Sequence, residues 1–117
     1  MEVVGQANEI PEVDPLIASE QMASGEIAIL DVREQPEWDS GHIEGSKFIP
    51  LYELQWRWSE LDRDKKWVCV CLAGVRSYYA AALLLQAGYD VANMAGGMLA
   101  WQAAKLPITD PGIVLGH

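Results

Sequence analysis

Short apolar runs alternate with segments of helical periodicity along most of the chain. The runs are too short for helices and suit strands that are buried on both faces, as in a parallel sheet. Four strands are predicted, over residues 27–32, 47–49, 67–71 and 91–95. Residues 1–12 are interpreted as a tail or an edge segment, and residues 109–117 as a second tail.

Helical patterns fill the intervals between these strands. Asp14 followed by Pro15 is typical of a helix start and predicts a helix to about residue 24. Pro36 similarly begins a short helix that ends before Gly41. Three further helices are predicted over residues 51–61, 77–87 and 98–105. The segment 77–87 is apolar on nearly every side, so we expect it to pack deeply against the sheet.

The order of elements predicts the architecture. Strands that alternate with helices form a parallel sheet covered on both faces. We therefore expect a three-layer α/β domain with a mostly parallel five-stranded sheet, in one domain spanning residues 1–117 with its core over about 12–107. In such folds ligands bind at the carboxyl ends of the strands.

Composition and charge narrow the function classes. Half of the 117 residues are apolar and 21% are charged, as in soluble globular proteins. A net charge of -9 argues against nucleic acid as a partner. No apolar stretch approaches the ~20 residues of a membrane helix, and the N-terminus lacks a basic segment followed by an apolar one. We expect no membrane association and a cytoplasmic location, which also suits a chain whose two cysteines form no disulfide framework.

Cys71 is the candidate nucleophile. It ends one predicted strand, and the residues that follow lead into the helix predicted from residue 77. Backbone N–H groups at a helix start carry partial positive charge and stabilise a thiolate or a bound anion. Arg76 adds a full positive charge at the same place. These surroundings lower a thiol pKa from ~8.5 by several units, so we expect Cys71 to be largely ionised at neutral pH.

Four motifs occur together in a recognisable order. They are DVRE at 31–34, GHIEGS at 41–46 with IP at 49–50, CLAGVR at 71–76, and GGM at 96–98 with Trp101. Together they resemble the rhodanese domain over about residues 12–107. The resemblance implies a single-domain sulfurtransferase in which Cys71 accepts a sulfane sulfur as a persulfide and passes it to an acceptor. Thiosulfate and cyanide are the usual donor and acceptor in assays of that family.

A substrate site follows from the proposed chemistry. We expect the backbone N–H groups of the loop residues to point at the terminal sulfur and stabilise its charge in both halves of the reaction. The candidate substrate-binding residues are Leu72, Ala73, Gly74, Val75, Arg76 and Arg33. Arg33 is the second candidate to contact an anionic donor, and both arginines have a structural alternative. The expected acceptor is a thiol, cyanide or a protein, and no metal or organic cofactor is needed.

Two alternative functions stay open. The six-residue loop from Cys71 to Arg76 resembles the sulfurtransferases rather than related cell-cycle phosphatases, whose loop is one residue longer. A ring of amides around one sulfur atom is tighter than one around a phosphate, so phosphatase or arsenate reductase chemistry is disfavoured. Leu72 and Ala73 stand where many relatives carry basic or hydroxylic side chains, which weakens the expectation of thiosulfate. Leu72, the acidic composition and the tryptophans of the predicted helix 51–61 favour instead a persulfide carrier or interaction module with a dedicated partner.

Several conspicuous side chains also have structural explanations. Cys69 lies inside a strand and is predicted to pack in the core. Arg33 is as readily explained by a buried ion pair with Asp31 or Glu37 as by substrate contact. His42, in a glycine-flanked turn, is expected to bond to the backbone rather than act as a base.

Two tryptophans and one lysine are the remaining conspicuous side chains. Trp56 and Trp58 are two apart on a predicted helix, so they cannot both face one core. Lys47 is expected to be a solvated lysine rather than a contact for an anion.

Overall fold

The computed structural model describes residues 9–109. Its strands are β1 (Glu12–Val13), β2 (Ala28–Asp31), β3 (Lys47–Phe48), β4 (Lys66–Val70) and β5 (Asp90–Met94). Its helices are α1 (Pro15–Ala23), α2 (Gln35–Asp39), α3 (Leu51–Arg57), α4 (Val75–Gln86) and α5 (Gly97–Ala103), with a 3₁₀ turn at Trp58–Glu60 after α3. Of the predicted tails, 1–12 and 109–117, the parts at residues 1–8 and 110–117 lie outside the described residues.

The five strands form one sheet in the order β1-β5-β4-β2-β3. Every neighbouring pair is parallel. Asn93 on β5 stands between Cys69 on β4 and Glu12 on β1 in the strand register. The predicted five-stranded α/β sheet is confirmed, and β1 shows that the N-terminal region contributes an edge strand.

Two apolar clusters cover the two faces of the sheet. One contains Leu30, Trp67, Cys69 and Cys71 with side chains of α3 and α4. The other contains Ile29, Val68, Val70, Ala92 and Met94 with side chains of α1 and α5. Because successive strand residues point to opposite faces, both cysteines lie on the side of α4. The three-layer arrangement is therefore as expected.

The start of α4 differs from the prediction. The helix begins at Val75 rather than at residue 77, and Gly74 caps it with a φ of 103°, a left-handed conformation that suits glycine. Arg76 consequently lies in the first helical turn instead of the loop. The helix is also not buried on every side, since Tyr79 is 63% exposed while Ala80, Ala81 and Leu84 face the core.

The helix predicted over residues 51–61 is shorter than expected. The α-helix ends at Arg57 and tightens into the 3₁₀ turn. As predicted, the two tryptophans take different environments: Trp56 is exposed, whereas Trp58 packs edge-on against the buried Tyr89. None of the helices within residues 9–109 has the length and apolar character needed to cross a membrane.

Candidate active site

Cys71 follows the carboxyl end of β4 and begins the loop that leads into α4. The residue is only 1% exposed. The side chains after it in the loop face outward, with Leu72 at 41% and Val75 at 65% exposure. The sulfur thus lies at the base of the loop, and a reagent reaches it only past the loop atoms.

Three donors converge on the sulfur of Cys71. The backbone N–H of Gly74 donates to Sγ at 3.1 Å, and the backbone N–H of Ser77 donates at 3.3 Å. The Ser77 hydroxyl lies at 3.3 Å from the same sulfur. These donors are arranged as a nest, which favours a negative charge at the position of Sγ.

The two thiols differ in their tendency to ionise. Burial raises the pKa of Cys71, but hydrogen bonds from Ser77 and from the amides of Gly74 and Ala73 lower it more, so its pKa lies below the ordinary value. Cys69 is fully buried, and burial together with the charge of Cys71 raises its pKa. Cys69 is a core residue, as predicted, and Cys71 is the thiol poised to ionise.

The N-terminus of α5 holds the other side of the loop. The N–H groups of Met98 and Leu99 donate to the carbonyl oxygens of Cys71 and Leu72 at 2.8 and 3.0 Å. Gly97 permits this approach, because a Cβ atom there would overlap both carbonyl groups. The first turn of α5 therefore fixes the carbonyls of Cys71 and Leu72, while the Gly74 amide faces the sulfur.

Ser77 and Asn93 are site residues that the sequence analysis did not identify. Asn93 is 2% exposed, and its side chain contacts Ser77 Oγ at 2.6 Å and the Gly74 carbonyl at 3.0 Å. Its Nδ2 also donates to Glu12 at 3.0 Å. An asparagine within the apolar strand 91–95 was the one available signal, since buried amides require partners.

The guanidinium of Arg76 is paired with a carboxylate. Its guanidinium donates to both carboxylate oxygens of Glu37 on α2, at 2.7 and 2.9 Å. The full positive charge expected from Arg76 beside Cys71 is therefore offset by Glu37, and the ion pair joins the start of α4 to α2. Hydrogen bonding to Arg76 lowers the pKa of Glu37 to about 2.

Arg33 is 4% exposed and forms a buried ion pair. Its Nε and Nη2 donate to the Asp31 carboxylate at 2.8–3.1 Å, and Nη2 also donates to the Gly41 carbonyl at 2.9 Å. The expected ion pair with Asp31 is confirmed, whereas the pairing with Glu37 is wrong because Glu37 binds Arg76. A contact between Arg33 and an anionic donor stays a prediction.

The side chains of His42 and Lys47 contact other parts of the fold. The His42 ring stacks on Trp38 and lies within hydrogen-bonding distance of the Trp38 carbonyl, with Nδ1 at 3.0 Å, which confirms the predicted backbone bond. Lys47 is partly exposed and lies 3.6 Å from Glu60. Across residues 9–109, no group of three or more His, Cys, Asp or Glu side chains is arranged to hold a metal ion.

Comparison with known proteins gives a consistent match to one family. Residues 14–104 match the family model described as Rhodanese-like domain. A sulfurtransferase of Allochromatium vinosum is 36% identical over 104 residues, which cover 87% of this chain and 97% of the relative. The putative sulfurtransferase YtwF of Bacillus subtilis is 32% identical over 100 residues, covering 85% of this chain and 97% of the relative.

A solved structure supports the same assignment. The rhodanese-related protein of Thermoplasma volcanium superposes with a TM-score of 0.81 at 32% identity, covering 85% of this chain and 97% of that one. Several other relatives are longer proteins, of which this chain spans between 21% and 52%.

Proposed function

The chain belongs to the rhodanese-like domain family, and on that basis we propose that it moves a sulfane sulfur from a small anionic donor to a thiophilic acceptor through a persulfide on Cys71. The relatives named as sulfurtransferases support sulfur transfer in general. The donor that we propose is thiosulfate or a low-molecular-weight persulfide, and the acceptor is cyanide, a thiol or a protein.

One observation carries the proposal. The Cys71 sulfur accepts hydrogen bonds from the amide of Gly74 in the loop and from the amide of Ser77 in the first turn of α4. The thiolate is the nucleophilic form of cysteine, and these donors favour it over the thiol. The same loop suits a terminal persulfide sulfur, which carries one negative charge close to the position of Sγ.

In the first half of the reaction, the Cys71 thiolate attacks the outer sulfur of the donor. With thiosulfate, the new Sγ–S bond forms as the bond to the sulfite sulfur breaks, and sulfite leaves with that bond's electron pair. The terminal sulfur of the persulfide keeps a single negative charge. Amides of residues 72–76 are proposed to stabilise it, and loss of one such donor typically costs about 10²- to 10³-fold in rate.

In the second half, the acceptor attacks the terminal sulfur. Cyanide forms a carbon–sulfur bond as the sulfur–sulfur bond breaks, thiocyanate leaves, and the electron pair of the broken bond regenerates the Cys71 thiolate. The reaction is therefore ping-pong. Neither half requires a proton donor, and the His42 ring is engaged with the Trp38 carbonyl.

The arginines are proposed to act through the loop. Arg76 is paired with Glu37 and Arg33 with Asp31, so the loop amides, rather than a free guanidinium, provide most of the local support for an anion. The alternative is that Arg33 or Arg76 contacts the donor directly, and the ion pairs of both arginines make this alternative the less well supported of the two.

A second candidate function is persulfide delivery to a dedicated protein acceptor. Leu72, Val75 and Leu99 are exposed apolar side chains, and Leu99 is bonded through its backbone to Leu72. An apolar border around a nucleophile suits a protein surface better than a small hydrophilic anion. Slow turnover with thiosulfate and cyanide, together with fast transfer to one protein acceptor, would favour this candidate over the first.

Intact mass spectrometry tests the persulfide. The parent protein is incubated with thiosulfate or with a persulfide donor and compared with Cys71→Ser and Cys69→Ser. We expect a mass gain of one sulfur atom in the parent and in Cys69→Ser, and none in Cys71→Ser. Subsequent cyanide should remove the gain and produce thiocyanate.

Two results would contradict the proposal. Retention of the added sulfur by Cys71→Ser would place the chemistry on another residue. Hydrolysis of an aryl phosphate by the parent, without any sulfur gain from either donor, would favour phosphatase chemistry instead.

A further inference from the structure

Asn93 is a buried polar side chain in the middle of an apolar strand. Its neighbours on β5, Ala92 and Met94, are fully or almost fully buried, and Asn93 itself is 2% exposed. A buried amide group without partners costs about 1–3 kcal/mol. The structure provides a partner for each end of the Asn93 amide, and those partners lead to the reactive sulfur.

The contacts fix the orientation of the Asn93 amide. Nδ2 donates to the Gly74 carbonyl and to the Glu12 carboxylate, both at 3.0 Å. Both of these partners are acceptors. A flipped amide would place Oδ1 against two oxygens, so Oδ1 faces Ser77 instead.

Ser77 has one hydroxyl proton and two acceptors for it. Asn93 Oδ1 lies 2.6 Å from Ser77 Oγ and can only accept, and Cys71 Sγ lies 3.3 Å away on another side. The hydroxyl can donate to one of them at a time. Its direction therefore depends on which acceptor carries more negative charge.

We propose that Asn93 is a positioning residue that holds the Ser77 hydroxyl when the Cys71 sulfur is uncharged and releases it to the thiolate. The proposal rests on the function proposed above in taking Cys71 as the nucleophile. A thiolate attracts the hydroxyl toward Sγ. Once the persulfide forms, the charge resides on the terminal sulfur, Sγ becomes a weak acceptor, and the hydroxyl turns back to Asn93.

No covalent bond changes in this step, because only the O–H bond of Ser77 rotates. The benefit is that neither state leaves the hydroxyl proton without an acceptor. Nδ2 keeps the Gly74 carbonyl in place throughout, so the Gly74 amide stays directed at Sγ. Asn93 thus has two effects. Its Nδ2 holds the backbone of Gly74, whose N–H donates to Sγ, and its Oδ1 competes with Sγ for the Ser77 hydroxyl proton.

The charged groups around this network are few. Glu12 on β1 contacts Asn93, and Arg76 on α4 is paired with Glu37 on α2. The Asp31–Arg33 pair lies at the carboxyl end of β2. The first turn of α5, residues 97–99, contributes backbone groups without a charged side chain. These charges are the same in every variant below.

A double-mutant cycle on the pKa of Cys71 tests the proposal. The variants are Ser77→Ala, Asn93→Leu and both together, each in the Cys69→Ser background, with folding checked by circular dichroism. The pKa is measured from the ultraviolet absorbance of the thiolate and from the pH dependence of alkylation. Leucine matches asparagine in size and has no hydrogen-bonding group.

We expect Ser77→Ala to raise the pKa of Cys71 by about one unit, because a hydrogen bond to a charged group is lost. Asn93→Leu has two effects in the Ser77 background: it removes the acceptor that competes for the Ser77 hydroxyl, which lowers the pKa, and it removes the contact to the Gly74 carbonyl, which raises it. In the Ser77→Ala background only the second effect remains. We therefore expect the shift caused by Asn93→Leu to be lower by several tenths of a unit in the Ser77 background than in the Ser77→Ala background, and an equal shift in both backgrounds overturns the proposal.

A measurement without any change at Asn93 covers the case in which Asn93→Leu does not fold. The carbon-13 shift of the Asn93 side-chain carbonyl is followed across the Cys71 titration. It should move with the midpoint of Cys71 in the parent and stay constant in Ser77→Ala. A shift that persists in Ser77→Ala reflects charge alone and overturns the proposal.

These readouts need no sulfur transfer. A protein that forms no persulfide but passes the cycle contradicts only the proposed function, and one that transfers sulfur normally but fails the cycle contradicts only this inference.

Discussion

The guanidinium of Arg76 and the carboxylate of Glu37 form a two-point ion pair at 2.7 and 2.9 Å, across 39 positions of sequence. The pair joins the first turn of α4 to α2. Both side chains are about one third exposed, so water screens their attraction. The contact therefore positions the reactive loop more than it stabilises the fold.

Replacing Glu37 by glutamine tests this ion pair through pH. Arg76 lowers the pKa of Glu37 from 4.5 to about 2, so the pair stabilises the fold above about pH 4.5 and this contribution is lost as the pH falls toward 2. We expect Glu37→Gln to reduce the free energy of unfolding by roughly 1 kcal/mol at neutral pH. The difference from the parent should shrink through that acidic window, as measured by urea unfolding at several pH values.

The companion variant is Arg76→Met. If the two side chains act as a pair, adding Glu37→Gln to Arg76→Met should change the free energy of unfolding by much less than it does alone. Full additivity of the two changes would show that the ion pair contributes nothing.

Gly97→Ala tests the close approach of α5 to the loop. A φ of 59° already strains an alanine by about 1–2 kcal/mol. Overlap with the carbonyl groups of Cys71 and Leu72 should add about 1–3 kcal/mol. We expect a loss of unfolding free energy in urea and, because the loop shifts, a rise in the pKa of Cys71.

Gly25→Ala is the matched control. Gly25 has a φ of 84°, but no atom lies within 4 Å of a Cβ added there. It should show the backbone strain without the overlap and leave the pKa of Cys71 unchanged. Equal losses of stability in the two variants would contradict the close approach.

Arg33→Met tests whether Arg33 serves the fold or the substrate. The change leaves the fully buried Asp31 without its partner, and we expect a loss of about 3–5 kcal/mol in unfolding free energy. In Asp31→Asn/Arg33→Met both charges are gone, and much of that loss should be recovered. With the fold recovered, the KM for thiosulfate separates the two roles, and an unchanged KM would assign Arg33 to the fold alone. A raised KM with unchanged kcat in the double variant would assign Arg33 a contact with the donor.

We expect the two thiols to differ in reactivity toward alkylating reagents, and we expect Cys71 to react more readily with small reagents than with bulky ones. At neutral pH iodoacetamide should modify Cys71 alone, because burial keeps the Cys69 thiol protonated and out of reach. Relative to each reagent's own rate with a free thiol, a bulky maleimide should be slowed much more than iodoacetamide, since Cys71 is 1% exposed beneath the loop. Peptide mapping by mass spectrometry locates the label, and Cys69→Ser should behave like the parent. Equal slowing of both reagents would show an open approach.

The hydrophobic pattern was sufficient to predict the architecture and the place of Cys71 at the carboxyl end of β4. Strands buried on both faces have few alternatives, and a cysteine at the end of such a strand must lie at the ligand-binding edge. The predicted first and last residues of the helices were less accurate. Gly74 adopts a left-handed conformation that lets α4 begin at Val75, and no periodicity of apolar residues reveals that conformation.

The partners of the reactive residues were beyond what sequence spacing can indicate. Ser77 and Asn93 meet because β5 lies beside β4 and α4 packs over both, and Arg76 meets Glu37 only in the folded chain. Local patterns predict which residues are buried or helical. They do not specify which polar groups satisfy one another across the sheet.

The loop is held from two directions, by amides that point at Cys71 and by the α5 amides that bind its carbonyls. Such a loop has little freedom to close around an arriving molecule. We therefore expect the free protein and a persulfide form of Cys71 to share one backbone conformation. In that case entry and departure of reactants, rather than rearrangement of the polypeptide, would limit turnover.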